Sequence, residues 1–490
     1  MSVPSHVYRT PLALLTDLYE LTMAHGYWKS GLTDHEAVFH LFFRSLPFNG
    51  GYCVACGLAY VVDLLNHFSF EESDLSYLTG LRGADDKPLF ETAFLDCLGD
   101  LKLSCDVDAL PEGALVFPQQ PLVRVRGPLI ESQLLESWLL NVVNFQTLIA
   151  TKAARVCQAA GDEPVLEFGL RRAQGIDGAL AVARAAYIGG CAATSNVLAG
   201  KLFDIPVKGT HAHSWVMAFD TEEQSFEAYA EAMPNNCVFL VDTYDTLDGV
   251  RRAVEAGKRL RERGYELGGV RLDSGDLAYL SIEARRILDA AGFDGAKIVA
   301  SGDLDEHLIA SLHQQGARID VWGVGTKLVT AYDDPALGGV YKLTALRKPG
   351  RDWQHKIKLS EQMVKTTTPG MLQIRRFHDG KQFVADMVYD ELNGVAADCT
   401  IVDPADATRR KRIPSDTPFT DMLVPILRGG NVVYRVPSVE DARRHTREQL
   451  GRLHPGIRRL VNPHRYPAGL ERGLHDRKTR LIMKARDAGN

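Results

Sequence analysis

The stretch PVKGTHAHSWVMAF, residues 206–219, carries two histidines, His211 and His213, at the end of an apolar run. In a strand, residues i and i+2 share a face, so an HxH pair can bite one metal ion. Barrel metallohydrolases work this way, with further ligands drawn from later strands. The later polar segments here, VDTYDT, RLDSGD, ASGDLD and GVGT, offer carboxylates and no histidine, which leaves a zinc site short of imidazole. A second reading buries both rings in hydrogen-bonded core positions. A third makes one a nucleophile, because neutral imidazole can attack phosphorus to form a phosphoramidate.

The third reading needs a phosphate site nearby, and the chain offers the parts of one. WGVGTKL, residues 322–328, reads as a strand, a Gly-x-Gly turn at Gly323 and Gly325, then Thr326 and a helix-compatible run. Such a turn lets backbone N–H groups approach an anion, and a helix N-terminus adds positive potential. In RLDSGD, Arg271 has a planar fork for phosphate, Asp273 can accept from ribose hydroxyls, and Asp276 can hold Mg²⁺ directly or through water. EFGLRRAQG adds Phe168, a flat face for an aromatic ring, and Arg171, a second cation. Each of these has an ordinary structural explanation when taken alone.

These residues need a scaffold. From Val165 onward, short apolar runs (VLEFG, ATSN, PVKGTHA, CVFLVDTY, GGVRLDSGD, AKIVASGD, IDVWGVGT) alternate with helical stretches. Seven strand candidates, most with a helical crossover, predict a mainly parallel sheet, and units of this number and length fit a (β/α) barrel at least as well as an open sheet. The polar residues gather at the carboxyl ends of those strands: Gly169 with Arg171, Ser195, Thr210 with His213, Asp242, Asp273 with Ser274, Gly302 with Asp303, and Gly323 with Gly325. That rim is where parallel barrels build active sites. Before Val165, DVDALPEGALVFPQQPLVRVRGPL alternates like antiparallel strands, and ESQLLESWLLNVVNFQTLIATKAARV reads as a long helix with an apolar face. We therefore expect an α+β domain with a linking helix over 1–160, the α/β barrel over 161–345, and a C-terminal region, 346–490, that completes the smaller domain.

Composition sets limits. With 490 residues, 45% of them hydrophobic, the chain can bury a large core, and its net charge of −6 is wrong for a general polyanion binder. The arginine-rich tail, residues 443–486, lacks interleaved aromatics and reads as solvated helix rather than a nucleic-acid surface. No run is long and apolar enough for a membrane span, and the N-terminus lacks the basic-then-apolar pattern of a secretory signal. Eight scattered cysteines point to the cytoplasm, and Cys53 and Cys56 read as packed small residues rather than half a zinc site.

The segments LLTDLYELTMAHGYW, FHLFFRSLPFNGGY, EFGLRRAQG, GGCAATSNVLAG, KGTHAHSW, VDTYDT, RLDSGDL and GVGTKLVTAYDDPALGGVYKL, with LHPGIRRLVNPHRYPAGL near the C-terminus, resemble the nicotinate phosphoribosyltransferases. The resemblance implies the type II phosphoribosyltransferase fold, an irregular α/β barrel with an α+β domain. It also implies transfer of phosphoribosyl from 5-phosphoribosyl 1-diphosphate to nicotinate, the entry to NAD salvage from nicotinic acid. It further implies ATP as co-substrate, Mg²⁺ as the metal and a homodimer with shared active sites as the assembly. By matching position, His213 would be the phosphohistidine, with Arg271 and Asp273 beside it. Tyr19, Phe168, Ser195 and Thr210 would meet nicotinate, Tyr19 reaching in from the partner copy. Arg171, Ser274, Gly302, Gly323, Gly325, Thr326 and Thr367 would meet the phosphoribosyl diphosphate. Ser195 stands where nicotinamide-using relatives carry an Asp, which would repel a carboxylate. His211 receives no role from the resemblance.

Overall fold

The computed structural model describes residues 11–360, 366–396 and 399–487; the first ten residues of the stretch read for a secretory signal lie outside them. The chain divides into two units, 1–148 with 336–490, and 149–335. The point of division falls inside the helix Glu136–Ala160, so the linking helix read at the sequence level is shared by both.

In the second unit the alternating pattern gives six strands, numbered here β1 (Val165–Glu167), β2 (Ala193–Thr194), β3 (Val238–Leu240), β4 (Gly269–Leu272), β5 (Lys297–Gly302) and β6 (Val321–Val324). They form one sheet in the order β2-β1-β6-β5-β4-β3 with every ladder parallel. Both faces are covered, so the strands are apolar throughout rather than alternating: Phe239, Val270, Leu272, Ile298, Ala300, Trp322 and Val324 are all buried. Each such Val, Leu, Ile or Phe side chain stabilises the fold by about 1.5–3 kcal/mol. Polar residues just past the strands do two different jobs. Asn196, Asp245, Asp276 and Asp305 cap the following helices by accepting from backbone N–H groups, a contribution of about 1 kcal/mol each. The others face the rim.

The one remaining strand candidate, PVKGTHA, does not form. Only Val207 bridges to Thr194, with Thr194 N–H donating to Pro206 O and Lys208 N–H to Thr194 O, and the chain then leaves the sheet at Gly209. Among the described residues no strand ladder joins β2 to β3. The observed architecture is thus a mixed α/β chain carrying a six-stranded parallel sheet.

The first unit is α+β. One sheet runs in the order Gln354–His355, Gly339–Arg347, Glu36–Phe43, Val123–Pro128, Asp106–Ala109, Val424–Arg428, Asn431–Val432. A second has Leu372–His378, Phe383–Asp390 and Ala468–Glu471 at its centre. Buried Asp390 ties this region together. Its carboxylate accepts from Met371 N–H at 2.9 Å and Asn393 Nδ2 at 2.6 Å, and pairs with His355 Nε2 at 2.8 Å and an Arg477 guanidinium nitrogen at 2.9 Å. Cys53 and Cys56 are buried, and all eight cysteines are free thiols.

Candidate active site

The C-terminal ends of β1 to β6 bring most of the sequence-selected residues to one rim. β4 supplies the centre. Arg271 Nε donates to Ser301 Oγ at 2.7 Å, and its two terminal nitrogens donate to Thr210 Oγ1 at 3.2 Å and Asp273 Oδ1 at 2.7 Å. The fork expected to face phosphate is therefore engaged by three neighbours, which fixes its plane. Ser301 Oγ also donates to Asp273. Burial pushes the Asp273 carboxyl up, but the Ser301 hydrogen bond and the Arg271 charge outweigh it and hold the group below its ordinary range.

Asp242, two residues past β3, gathers this centre from below. Its Oδ2 accepts from Asp273 N–H at 3.0 Å and Ser274 Oγ at 2.6 Å. Its Oδ1 is buried and has no hydrogen-bond partner among the described residues. His213 opens the short helix His213–Met217, and its side chain is 41% exposed. Its Nδ1 lies 3.1 Å from Thr243 Oγ1, and its Nε2 lies 3.9 Å from both Asp242 Oδ1 and Asp273 Oδ2. An imidazole with Nδ1–H donating to Thr243 keeps its Nε2 lone pair on the open, carboxylate-lined side.

The aromatic side of the rim is built from β1 and β6. Phe168 N–H donates to Val324 O at 2.9 Å, which lays the ring over Gly323. A Cβ at position 323 would lie 2.7 Å from Phe168 Cδ2, so only glycine lets the ring settle there. The Arg271 guanidinium lies 5.7 Å from the same ring's centroid. Gly302 has φ of +119°, and a Cβ there would meet Asp273 O at 2.9 Å. Beneath Phe168 the buried Glu167 carboxylate accepts from Gly169 N–H and from Thr194 Oγ1 at 2.6 Å. It thereby joins the β1 turn to β2, where Ser195 N–H donates to Glu167 O at 2.9 Å. Burial raises the Glu167 carboxyl above its ordinary range.

The remaining sequence-selected residues are placed less centrally. Arg171 lies exposed on the 3₁₀ turn Leu170–Arg172, and Thr326 begins the one-turn helix Thr326–Val329 behind Gly325. Asp276 is exposed, and its Oδ1 caps the helix Leu277–Ala290 by accepting Tyr279 N–H at 3.0 Å. Tyr19 and Thr367 belong to the first unit. Tyr19 is 44% exposed on the helix Leu18–Lys29, and Thr367 is buried with its hydroxyl accepting Lys358 N–H at 2.9 Å.

The HxH pair does not act as a pair. His211 is buried and turns to Leu240, Tyr229, Phe226 and Phe239, whereas His213 faces the carboxylates. The two histidines do not lie in a strand, so the shared face that a joint metal site requires is missing. Among the described residues no group of three or more metal-ligating side chains forms. Sequence reasoning noted Asp242 at a strand end but gave it no role, and it passed over Thr243, Ser301 and Glu167. Their signal was only a polar type at the end of an apolar run, which turns and caps share.

Residues 164–384 match the nicotinate phosphoribosyltransferase (NAPRTase) family, residues 14–144 its N-terminal domain and residues 373–478 its C-terminal domain. The chain is 44% identical to the nicotinate phosphoribosyltransferase of Bacillus subtilis over 97% of this chain and 96% of that one. It is 41% identical to one from Mycobacterium tuberculosis, over 96% and 93%. The crystal structure of human nicotinic acid phosphoribosyltransferase superposes with a TM-score of 0.82 at 33% identity, covering 95% of this chain and 99% of that one. A nicotinate-nucleotide pyrophosphorylase from Pyrococcus furiosus shares the fold, with a TM-score of 0.69 at 22% identity over 91% and 98% of the two chains. Matches that run nearly end to end, over a rim whose polar groups converge on His213 and Asp273, place this chain in the nicotinate phosphoribosyltransferase family.

Proposed function

We propose that the chain transfers the 5-phosphoribosyl group of 5-phosphoribosyl 1-diphosphate to nicotinate, giving nicotinate mononucleotide and pyrophosphate. We further infer that ATP hydrolysis is coupled to this transfer through phosphorylation of His213. The observation that carries the coupling is the His213 imidazole itself, half-open, with Nδ1 beside Thr243 and Nε2 facing Asp242 and Asp273. Nε2 attacks the γ-phosphorus of ATP, a P–N bond forms, the P–O bond to ADP breaks, and the positive charge left on the ring faces two carboxylates. Water later cleaves the P–N bond and returns the histidine.

In the transfer, the bond from C1 to diphosphate lengthens, the ribose gains oxocarbenium character, and the nicotinate ring nitrogen attacks C1. Phe168 would stack on the pyridine ring, and Ser195 and Thr210 would meet nicotinate. Arg271, held in plane by Ser301, Asp273 and Thr210, would orient the phosphoribosyl end, with Arg171, Ser274, Gly302, Gly323, Gly325 and Thr326 around the diphosphate substrate. The donor set suits a hard cation. Asp242 Oδ1 is a buried carboxylate oxygen with no hydrogen-bond partner among the described residues, and Asp273 lies beside it. Asp242 and Asp273 would hold Mg²⁺ more readily than Asp276, whose Oδ1 already caps a helix. When bound, the ion would neutralise charge on the departing diphosphate.

The barrel and the dimer belong to this reading. The all-parallel order and the Val207 bridge beyond β2 support a sheet that curls into an irregular barrel. Exposed Leu18, Tyr19 and Met23 in the first unit, and exposed Ile176, Val197 and Leu198 in the second, support an interface between copies, with Tyr19 entering the partner's site. Free thiols suit the cytoplasm, and no described helix is long and apolar enough to cross a membrane.

The test is to incubate the pure protein with Mg²⁺, nicotinate and 5-phosphoribosyl 1-diphosphate, with and without ATP, beside His213→Ala. Nicotinate mononucleotide that rises with ATP in the wild type, and loses that response in the variant, supports both parts. Absence of product under either condition refutes the transferase assignment.

A further inference from the structure

The site leaves one buried polar group unexplained. β3 is an edge strand. One residue past its end, Val241 N–H donates inward, to Arg271 O at 3.2 Å, so the preceding Leu240 N–H points outward, where a further strand would supply a carbonyl. No strand lies there among the described residues, and a buried N–H without an acceptor costs about 1–3 kcal/mol. His211 Nε2 takes the bond, at 3.2 Å.

The imidazole is built for this. His211 is 8% exposed, and its ring centroid lies 4.9 Å from Tyr229 and 6.4 Å from Phe226 and Phe239. Its Nδ1 lies 3.4 Å from Ala212 O, an acceptor, which selects the tautomer with hydrogen on Nδ1 and the lone pair on Nε2. Burial lowers its pKa to about 4, so the ring stays neutral and accepting. The ends of the bond are matched in sequence. His213 lies two residues after His211, and Asp242 lies two residues after Leu240. One hydrogen bond therefore links the loop that presents His213 to the strand that presents Asp242 and Thr243.

We propose that His211 is a positioning residue: it stands in for the missing neighbour strand of β3 and sets the register of His213 against Asp242 and Thr243. The proposal rests on the phosphohistidine reading for its functional consequence, but the latch itself can be tested separately. His211→Phe keeps the ring and removes the acceptor. His211→Gln places an amide oxygen near the Nε2 position.

In the full chain, amide exchange at Leu240 should quicken about 10-fold in His211→Phe, the loss of one ordinary hydrogen bond, and stay near wild type in His211→Gln. Phosphate transfer from ATP to His213, and the ATP-stimulated kcat, should fall about 10–100-fold in the Phe variant, the effect of misplacing a reacting group by about 1 Å. The Gln variant should recover most of that rate. KM for nicotinate should change less than kcat, because Phe168 and Ser195 follow β1 and β2, and only Thr210 shares the loop of His211. If the Phe variant does not fold, His211→Leu takes its place. Unchanged Leu240 exchange, equal loss of activity in the acceptor-keeping and acceptor-lacking variants, or faster exchange with an unchanged rate would each overturn the proposal. If the wild type shows no ATP response, the phosphohistidine reading fails. The latch is then judged on Leu240 exchange and on the ATP-independent kcat.

Discussion

Gly323→Ala would move one aromatic ring and little else. The added Cβ would lie 2.7 Å from Phe168 Cδ2, 2.8 Å from Cε2 and 3.3 Å from Ser301 Cβ. Carbon atoms rest at about 3.5–4.0 Å, so a gap of about 1 Å must open. Ser301 closes the other side, and the Phe168 backbone is pinned by its N–H bond to Val324 O. The ring must therefore swing about its own torsions, at about 0.5–1.5 kcal/mol for a 30° departure from a rotamer. Losing the stacking proposed for Phe168 on nicotinate would forfeit about 0.5–1.5 kcal/mol more, and a 1 Å misplacement can lower the rate up to about 100-fold. We expect kcat/KM for nicotinate to fall about 10–100-fold, with thermal unfolding nearly unchanged because a half-buried ring can turn toward solvent. The double variant Phe168→Ala with Gly323→Ala should be no worse than Phe168→Ala alone, since both changes act through one ring. Steady-state kinetics with nicotinate as the varied substrate decides it. Wild-type kcat/KM in Gly323→Ala, or fully additive losses in the double variant, would refute the claim that this glycine exists to seat Phe168.

Two further predictions concern specificity and stability. Ser195→Asp should weaken nicotinate use about 10-fold or more by setting a carboxylate against a carboxylate, and competition between nicotinate and nicotinamide measures it; unchanged nicotinate kinetics would remove Ser195 from the pyridine site. Asp390→Asn should destabilise the first unit by about 3 kcal/mol at pH 7, the scale of losing charge-assisted hydrogen bonds. Burial opposes the Asp390 charge, but hydrogen bonds from His355 and Met371 N–H win and hold its pKa below the ordinary carboxylate value. A depressed carboxylate contributes stability that is present above its unfolded pKa and is lost as pH falls through the folded one. The wild-type advantage over Asp390→Asn should therefore shrink as the medium is acidified below about pH 4, and urea melts at pH 7 and at lower pH should show the two converging.

Much of this molecule is local in sequence. Short apolar runs broken by Gly, Asp and Ser, four of them followed by a helix with its own side-chain cap, dictate the parallel sheet and place polar residues at strand ends. This is why Arg271, Asp273, Phe168, Ser195 and Gly323 could be selected from the sequence. Periodicity and capping act within about ten residues, so they can be read there. What a polar residue does at a strand end depends on neighbours 30 to 60 positions away. Asp276 and Asp242 look alike in sequence, yet one caps a helix while the other gathers Asp273 and Ser274. PVKGTHA has the composition of a strand, but Gly209 and the helix at His213 take it out of the sheet. The two histidines, identical in type and two residues apart, part company for the same reason. One meets an unpaired backbone N–H on an edge strand and is buried among aromatic rings, and the other meets two carboxylates at the open rim. The sequence determined which residues reach the sheet's carboxyl end; only the packing of distant strands decided which atoms they meet there, because a hydrogen bond is fixed by position in space and carries no trace in local sequence.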